Sequence, residues 1–302
     1  MGAITTGNHP AALWPGVKAW WGRTYNEHKV EYTDLFDMET STKNYEKDVQ
    51  VTGFSLAPVK TEGGGTTYDS ETQGYAYNYV HVAYGLGFIV TREERDDNLY
   101  EVVGKRRAQA LAFSMRQTKE TVAGLVYNRA FNSDYTFGDG KEIIATDHPS
   151  LAGDWANEPT SAADISEAAI EDMCILIMGM TNSKGLKINL MAQSLIVPRQ
   201  LWFEANRILK STLQSDSANN DPNVLRMTNA IPGGIKVNHY LTDTDAWFMR
   251  TNCPRGMIGY DRAKDDLMRD NDFSTDNALA KAYERYIFGV TDPRSIVGSP
   301  GV

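Results

Sequence analysis

The sequence predicts an α+β fold. A window from about Asp96 to Phe131 carries helical periodicity well beyond the length of an average helix. β-rich alternating stretches lie before and after it, and helix and strand patterns interleave in the second half without any internal repeat. With 302 residues, 41% hydrophobic and 23% charged, the chain can bury a sizeable core and is too apolar for general disorder.

Residues 1–48 are rich in aromatics and poor in period. Trp14, Trp20 and Trp21 fall close together, followed by Tyr25, Tyr32, Phe36 and Tyr45. Rings of that size need cover. The segment reads as an arm lying on the rest of the protein or on neighbouring subunits. Residues 49–91 read as two strands joined by a pliable tip. The first runs VQVTGFSLAPVK, and the tip carries Gly63, Gly64 and Gly65. On the return strand Tyr75, Tyr77, Tyr79 and His81 alternate with Ala76, Asn78, Val80 and Val82, which places them on opposite faces. An isolated two-stranded ribbon is marginal in water, so this one wants a partner surface.

The helical window follows. Val103, Leu111, Met115, Thr118, Val122, Leu125 and Val126 form its stripe, while Lys105, Arg106, Arg107, Arg116 and Lys119 belong to a solvated face that could also meet DNA or a neighbour's carboxylates. Gly104 and Gly124 are expected to weaken or bend it. A helix filling this window would be roughly 50 Å long, which suits an elongated subunit.

Beyond it, Asp139-Gly140 is a hairpin signal. A helix is expected over Ser161–Met180, capped by Ser161, with Ile165, Ala169, Met173, Leu176, Ile177 and Met180 inward. Leu186–Pro198 reads as strand, Arg199–Leu213 as amphipathic helix and 215–223 as a polar loop. Strands are expected at Gly234–Leu241 and Ala246–Arg250. An acidic loop should cover 261–277, and extended strands broken at Asp292-Pro293 should end the chain.

Several function classes fall away. Thirty Lys+Arg against 39 Asp+Glu give a net charge of -9, the wrong sign for a dedicated nucleic-acid reader. Cys174 and Cys253 are the only cysteines and are far apart, so neither a disulfide framework nor a zinc ribbon is implied. His9, His28, His81, His148 and His239 show no metalloprotease spacing. Nucleophile-elbow, Walker and dinucleotide fingerprints are missing, and Gly85-Leu86-Gly87 lies in strand-like sequence, where it marks close packing. The carboxylates Asp216 and Asp221, Asp134 and Asp139, and Asp261, Asp265, Asp266, Asp270 and Asp272 lack the order of a calcium loop and read as solvated. No catalytic residue, cofactor or metal is therefore expected. The apolar runs are too short to span a bilayer, and no signal peptide is expected at the N-terminus. Met1-Gly2-Ala3-Ile4-Thr5-Thr6 fits the loose myristoylation pattern without a basic second signal, so no lipid anchor is expected either.

The order of these parts, with LWPGVKAWW, YGLGFIVTREERDDNLYE, NRAFNSDYTFGDGKEIIATDHP, SLIVPRQLWFEANRILKS, TDTDAWFMR and YERYIFGVTDPRSIVG, resembles the major capsid proteins of tailed bacteriophages, Mu-like head subunits in particular. Herpesvirus capsid proteins and encapsulins share that fold. The resemblance implies an N-terminal arm over 1–48 and an extended β-hairpin loop over 49–91. It implies a peripheral domain with a long spine helix over 92–188 and 263–302, and an axial domain over 189–262. It implies a structural subunit forming pentamers and hexamers of an icosahedral or prolate head around double-stranded DNA, assembled in the host bacterial cytoplasm. Expected partners are other copies of the chain, a separate scaffolding protein, a portal protein and decoration or cement proteins, with DNA met only non-specifically. An encapsulin-like compartment is the alternative. Some relatives crosslink a loop lysine to a neighbour; Lys60 lies near the tip, but no acceptor or catalytic Glu can be assigned to it.

Overall fold

The computed structural model describes residues 21, 23–26, 29–97, 100–214, 221–272 and 274–302. In chain order, the short helix α1 (Tyr32–Leu35) leads into β1 (Asp37–Thr40), β2 (Tyr45–Val51), β3 (Gln73–Val80) and β4 (Val82–Val90). The helices α2 (Arg92–Asp96), α3 (Tyr100–Asn128) and α4 (Glu167–Gly179) follow. Then come β5 (Ala192–Pro198), α5 (Trp202–Lys210), α6 (Val224–Met227), β6 (Ile235–Asn238) and β7 (Trp247–Thr251). The long strands β8 (Met257–Asn271) and β9 (Ala278–Val290) precede a 3-10 turn at Pro293–Ser295 and β10 (Ile296–Ser299).

Two four-stranded sheets carry the fold. One has the order β1-β8-β9-β4 and the other β10-β7-β5-β6, while β2 and β3 form a separate ribbon. The first is antiparallel except for β1, which runs parallel to β8; the second has one parallel pair, β5 with β6. The spine helix α3 crosses the first sheet. Along β9 the buried positions alternate as Ala280, Ala282, Glu284, Tyr286 and Phe288, so one sheet face lies under the helix. Near its N-terminal half, Ala108, Leu111, Ala112 and Met115 pack with Trp21, Tyr25, Leu267 and Ala282. Near its C-terminal half, Ala123 and Tyr127 pack with Phe36, Phe248, Tyr286 and Phe288. The second sheet carries its own core, in which Leu195, Val197, Trp247, Met249 and Val297 meet Ile170, Met173 and Ile177 of α4 and Ala205 and Ile208 of α5.

At 29 residues α3 is about 43 Å long. Gly124 does not interrupt it. A Cβ there would stand 2.9 Å from that of Tyr240, so glycine permits a close approach. Asn128 then clasps the same segment, donating to the Tyr240 carbonyl at 3.0 Å and accepting from Thr242 N–H at 3.0 Å.

The structure corrects several expectations. The ribbon pairs from Tyr45, not from 49, and ends at Val51 opposite Gln73. The return strand is two strands that part at His81 and join different sheets. The alternation along it holds, with Tyr79 and His81 buried and Val80 and Val82 exposed. Asp139-Gly140 turns the chain without joining two strands; Gly140 takes φ +85°, which favours glycine. The helix expected from Ser161 starts at Glu167 and is capped by Ser166, whose hydroxyl accepts from Ala169 N–H. Residues 186–191 are not strand, and β5 begins at Ala192. The largest error is 261–277. Residues 261–271 belong to β8, held by a ladder to β9 whose bulges around Ala263 break the period-two signal.

Candidate assembly surfaces

A buried charged seam joins the spine helix to the first sheet. Its side chains come from α3 (Arg116, Lys119, Glu120), from Tyr25 and Tyr32, and from β8 and β9. Arg116 and Lys119 are only 3% and 5% exposed, against the expectation of a solvated face. The helix buries the side centred on Ala108, Ala112, Ala123 and Tyr127, and residues 116–120 fall on it. Long aliphatic stems let these cations lie in an apolar seam while their heads find partners. Lys119 Nζ donates to Asp261 at 2.8 Å and sits 5.0 Å and 5.1 Å from the ring centres of Tyr32 and Tyr286. The Arg116 guanidinium lies over Tyr25 and Tyr32 at 4.9 Å and 5.3 Å. Glu120 accepts from the backbone N–H groups of Glu31 and Tyr32 at 3.0 Å and 2.9 Å, capping α1. Burial still pushes its carboxyl above the usual range.

Glu284 is the surplus acid of the seam. It is 1% exposed, and one carboxyl oxygen has no hydrogen-bond partner among the described residues. Burial raises it to about 7, with Asp265 and Asp261 adding to the rise, while Lys119 and a hydrogen bond from Tyr25 oppose it.

A second polar hub ties the 137–157 segment to the C-terminal strands. Asn157 Oδ1 accepts from Ala145 N–H at 2.8 Å and lies 3.0 Å from His148 Nε2. Its amide nitrogen donates to the carbonyls of Ile143, Pro293 and Ile296. His148 Nδ1 lies 2.7 Å from Asp139, and its ring stacks on Trp155, over which Arg294 is placed at 4.3 Å. These are fully satisfied packing contacts.

The exposed apolar surface is concentrated elsewhere. Between Thr52 and Thr72, which close the base of the loop by a hydrogen bond, residues 52–72 form no strand. Phe54, Leu56, Val59 and Tyr68 are 58%, 80%, 95% and 93% exposed. The loop is tied to its own chain through Asp69, which accepts from Ser55 N–H at 2.6 Å and from Lys184 at 3.0 Å. Those bonds hold the Asp69 carboxyl well below its usual range. Further apolar exposure lies on α4 (Ile175, Met178) and on α5 and α6 (Trp202, Phe203, Met227). So many large apolar side chains in water, on the loop and on α4, α5 and α6, are more than a lone soluble globule ordinarily shows.

Other residues singled out from sequence are dispersed. Lys60 is exposed at the loop tip, Arg106 is exposed, and Arg107 pairs with Glu94 at 2.9 Å. Asp265 accepts from Trp21 Nε1, Asp272 binds Ser274 and Thr275 in its own turn, and Asp261 serves Lys119. Among the described residues no three ligating side chains gather to hold a metal ion. Burial pushes the Cys253 thiol up to about 12 and raises that of Cys174, which disfavours the reactive thiolate. Gly87 shows why strand β4 needs glycine, since a Cβ there would lie 2.8 Å from the Ala280 carbonyl oxygen. Among the described residues no helix is long and apolar enough to cross a membrane. The arm residues Trp21, Tyr25, Tyr32 and Phe36 are buried against their own chain. His9, Trp14, Trp20, His28, Asp216 and the myristoylation pattern lie outside the described residues.

The model of the phage capsid protein family matches residues 75–299 of the 302. The chain belongs to that family. Membership makes it a shell-forming structural subunit of a phage head, and the match takes in the spine helix, the second sheet and all of the first sheet except β1. A search of curated proteins finds no match. Among solved structures, the virus-like particle from Pyrococcus furiosus is similar over 95% of this chain and 99% of that one, at 11% identity and a TM-score of 0.55. The capsid of the native GTA particle is similar over 88% of each chain, at 12% identity and a TM-score of 0.55. Microbacterium phage Oxtober96 aligns over 99% and 98%, at 12% identity and a TM-score of 0.51. At such identities the likeness is one of fold, and it bears out the α+β capsid architecture expected from the sequence.

Proposed function

We propose that this chain assembles into pentamers and hexamers of a closed icosahedral or prolate head around double-stranded DNA. The observation that carries this reading is the loop 52–72, whose large apolar side chains are left in solvent by the chain's own body. In a shell such a loop lies over a neighbour, and heterologous contacts of this kind close into rings. Residues 1–48 act as an arm, 49–91 as the extended loop, 92–188 with 263–302 as the peripheral domain and 189–262 as the axial domain, with β4 and β10 read together with the sheets in which they pair. Its sequence resembles those of Mu-like head subunits. The subunit catalyses nothing, and a net charge of -9 fits a container that meets DNA only non-specifically. A separate scaffolding protein, a portal and decoration proteins complete the head, which is built in the host bacterial cytoplasm. An encapsulin-like compartment would use the same fold, but no feature of the geometry favours it. Size-exclusion chromatography with light scattering tests the reading: pentamers, hexamers or larger species are expected. A chain that stays monomeric at all concentrations, with or without its scaffold, contradicts it.

A further inference from the structure

We propose that the half-open apolar cavity beside the C-terminal half of α3 is the socket for the 54–59 segment of a second copy of this chain. The inference rests on the shell reading above and adds the receiving surface. The cavity has a volume of about 350 Å³ and is lined by Tyr77, Val122, Val126, Phe137, Ile287 and Arg129, among others. A dry cavity of about 150 Å³ already accepts a benzene, so this one has room for two large apolar side chains. Phe54 and Leu56 are such a pair. In an extended segment residues two apart point to the same side.

The chain cannot fill its own socket with this segment as it stands. No residue of 52–72 lines the cavity, and Asp69 ties the loop instead to Lys184 and Ser55. Phe54 and Leu56 remain 58% and 80% exposed in that position.

Charge supports the same pairing. The Arg129 guanidinium lies 4.1 Å from the Tyr135 ring centre and has no carboxylate partner among the described residues. The loop carries Glu62 and Glu71, both exposed and in no ion pair among the described residues. An incoming loop brings its apolar residues to the cavity and its acids to the guanidinium at the same time.

The test uses the full chain. Leu56→Asp, at a solvent-exposed position that folding does not depend on, should lower the yield of shells at least tenfold while leaving the melting curve of the isolated subunit unchanged. Val126→Trp, which fills the socket, should likewise lower the yield of shells, and the double variant should be no worse than the poorer single one. In assembled particles, Leu56→Cys combined with Val126→Cys should give disulfide-linked multimers on a non-reducing gel. Wild-type yield of shells from Leu56→Asp overturns the proposal even if Val126→Trp misfolds, and so does a disulfide formed only within single subunits. If the unaltered chain builds no oligomers, the shell reading itself has failed; if it assembles and the loop variant does too, only the socket is lost.

Discussion

Glu284→Gln isolates the cost of the surplus buried acid. In the unfolded chain this carboxyl titrates at 4.5, and in the folded chain at about 7. Between those values the folded state keeps a proton that the unfolded state has released. Stability therefore falls as pH rises through that window, the opposite of what a salt-bridged carboxylate gives. At about 1.36 kcal/mol per tenfold difference in proton affinity, the full effect is about 3 kcal/mol, of which about 2 to 3 kcal/mol falls between pH 5 and pH 8. Glutamine keeps the shape and does not titrate. Urea unfolding of the unassembled subunit should show the two proteins close in stability at pH 5. By pH 8 the variant should be ahead by that amount. Titrating groups that do not act on Glu284 remain in both proteins and cancel in the difference; Lys119, Asp261, Asp265 and Tyr25, which do act on it, contribute to the measured gap. A gap that stays constant from pH 5 to pH 8, or that closes as pH rises, would refute the reasoning.

Further outcomes follow from the same seam and hub. Asn157→Ala leaves the buried Ala145 N–H and three carbonyls without their partner, so denaturant melts should show a loss of about 3 kcal/mol or more. Lys119→Met strands Asp261 in a site where the two side chains are only 6% and 16% exposed, at a cost of about 3–5 kcal/mol. Adding Asp261→Asn should recover more than half of that loss in a double-mutant cycle. Lys184→Met frees the loop from Asp69 and Ser70. Chymotrypsin should then cut sooner at Phe54 and Tyr68, with the urea midpoint of the body unchanged.

What sequence could show depended on how far the burial pattern was local. The spine helix was legible because its periodicity runs over many turns. The ribbon was legible because Tyr75, Tyr77, Tyr79 and His81 alternate. Strand β8 was not, because after Tyr260 only Leu267 is deeply buried, and the strand is held by backbone pairing to β9 that no side chain announces. Arg116 and Lys119 were assigned to solvent because charge is usually solvated; their partners come from Tyr25, Tyr32 and Asp261, distant in sequence. Ser161 is as good a cap by residue type as Ser166, which caps α4 in the fold; the choice is made by where α4 meets the second sheet. The exposed loop side chains were visible as a composition. That the chain's own body leaves them uncovered could be learned only from the folded form.

Electron microscopy of the purified full chain, with its scaffolding protein where one is required, tests the central claim most directly. The account predicts closed shells built of pentamers and hexamers, with density for the 52–72 loop lying on an adjacent subunit. Monodisperse monomers, or particles in which that loop folds back on its own subunit, would contradict it.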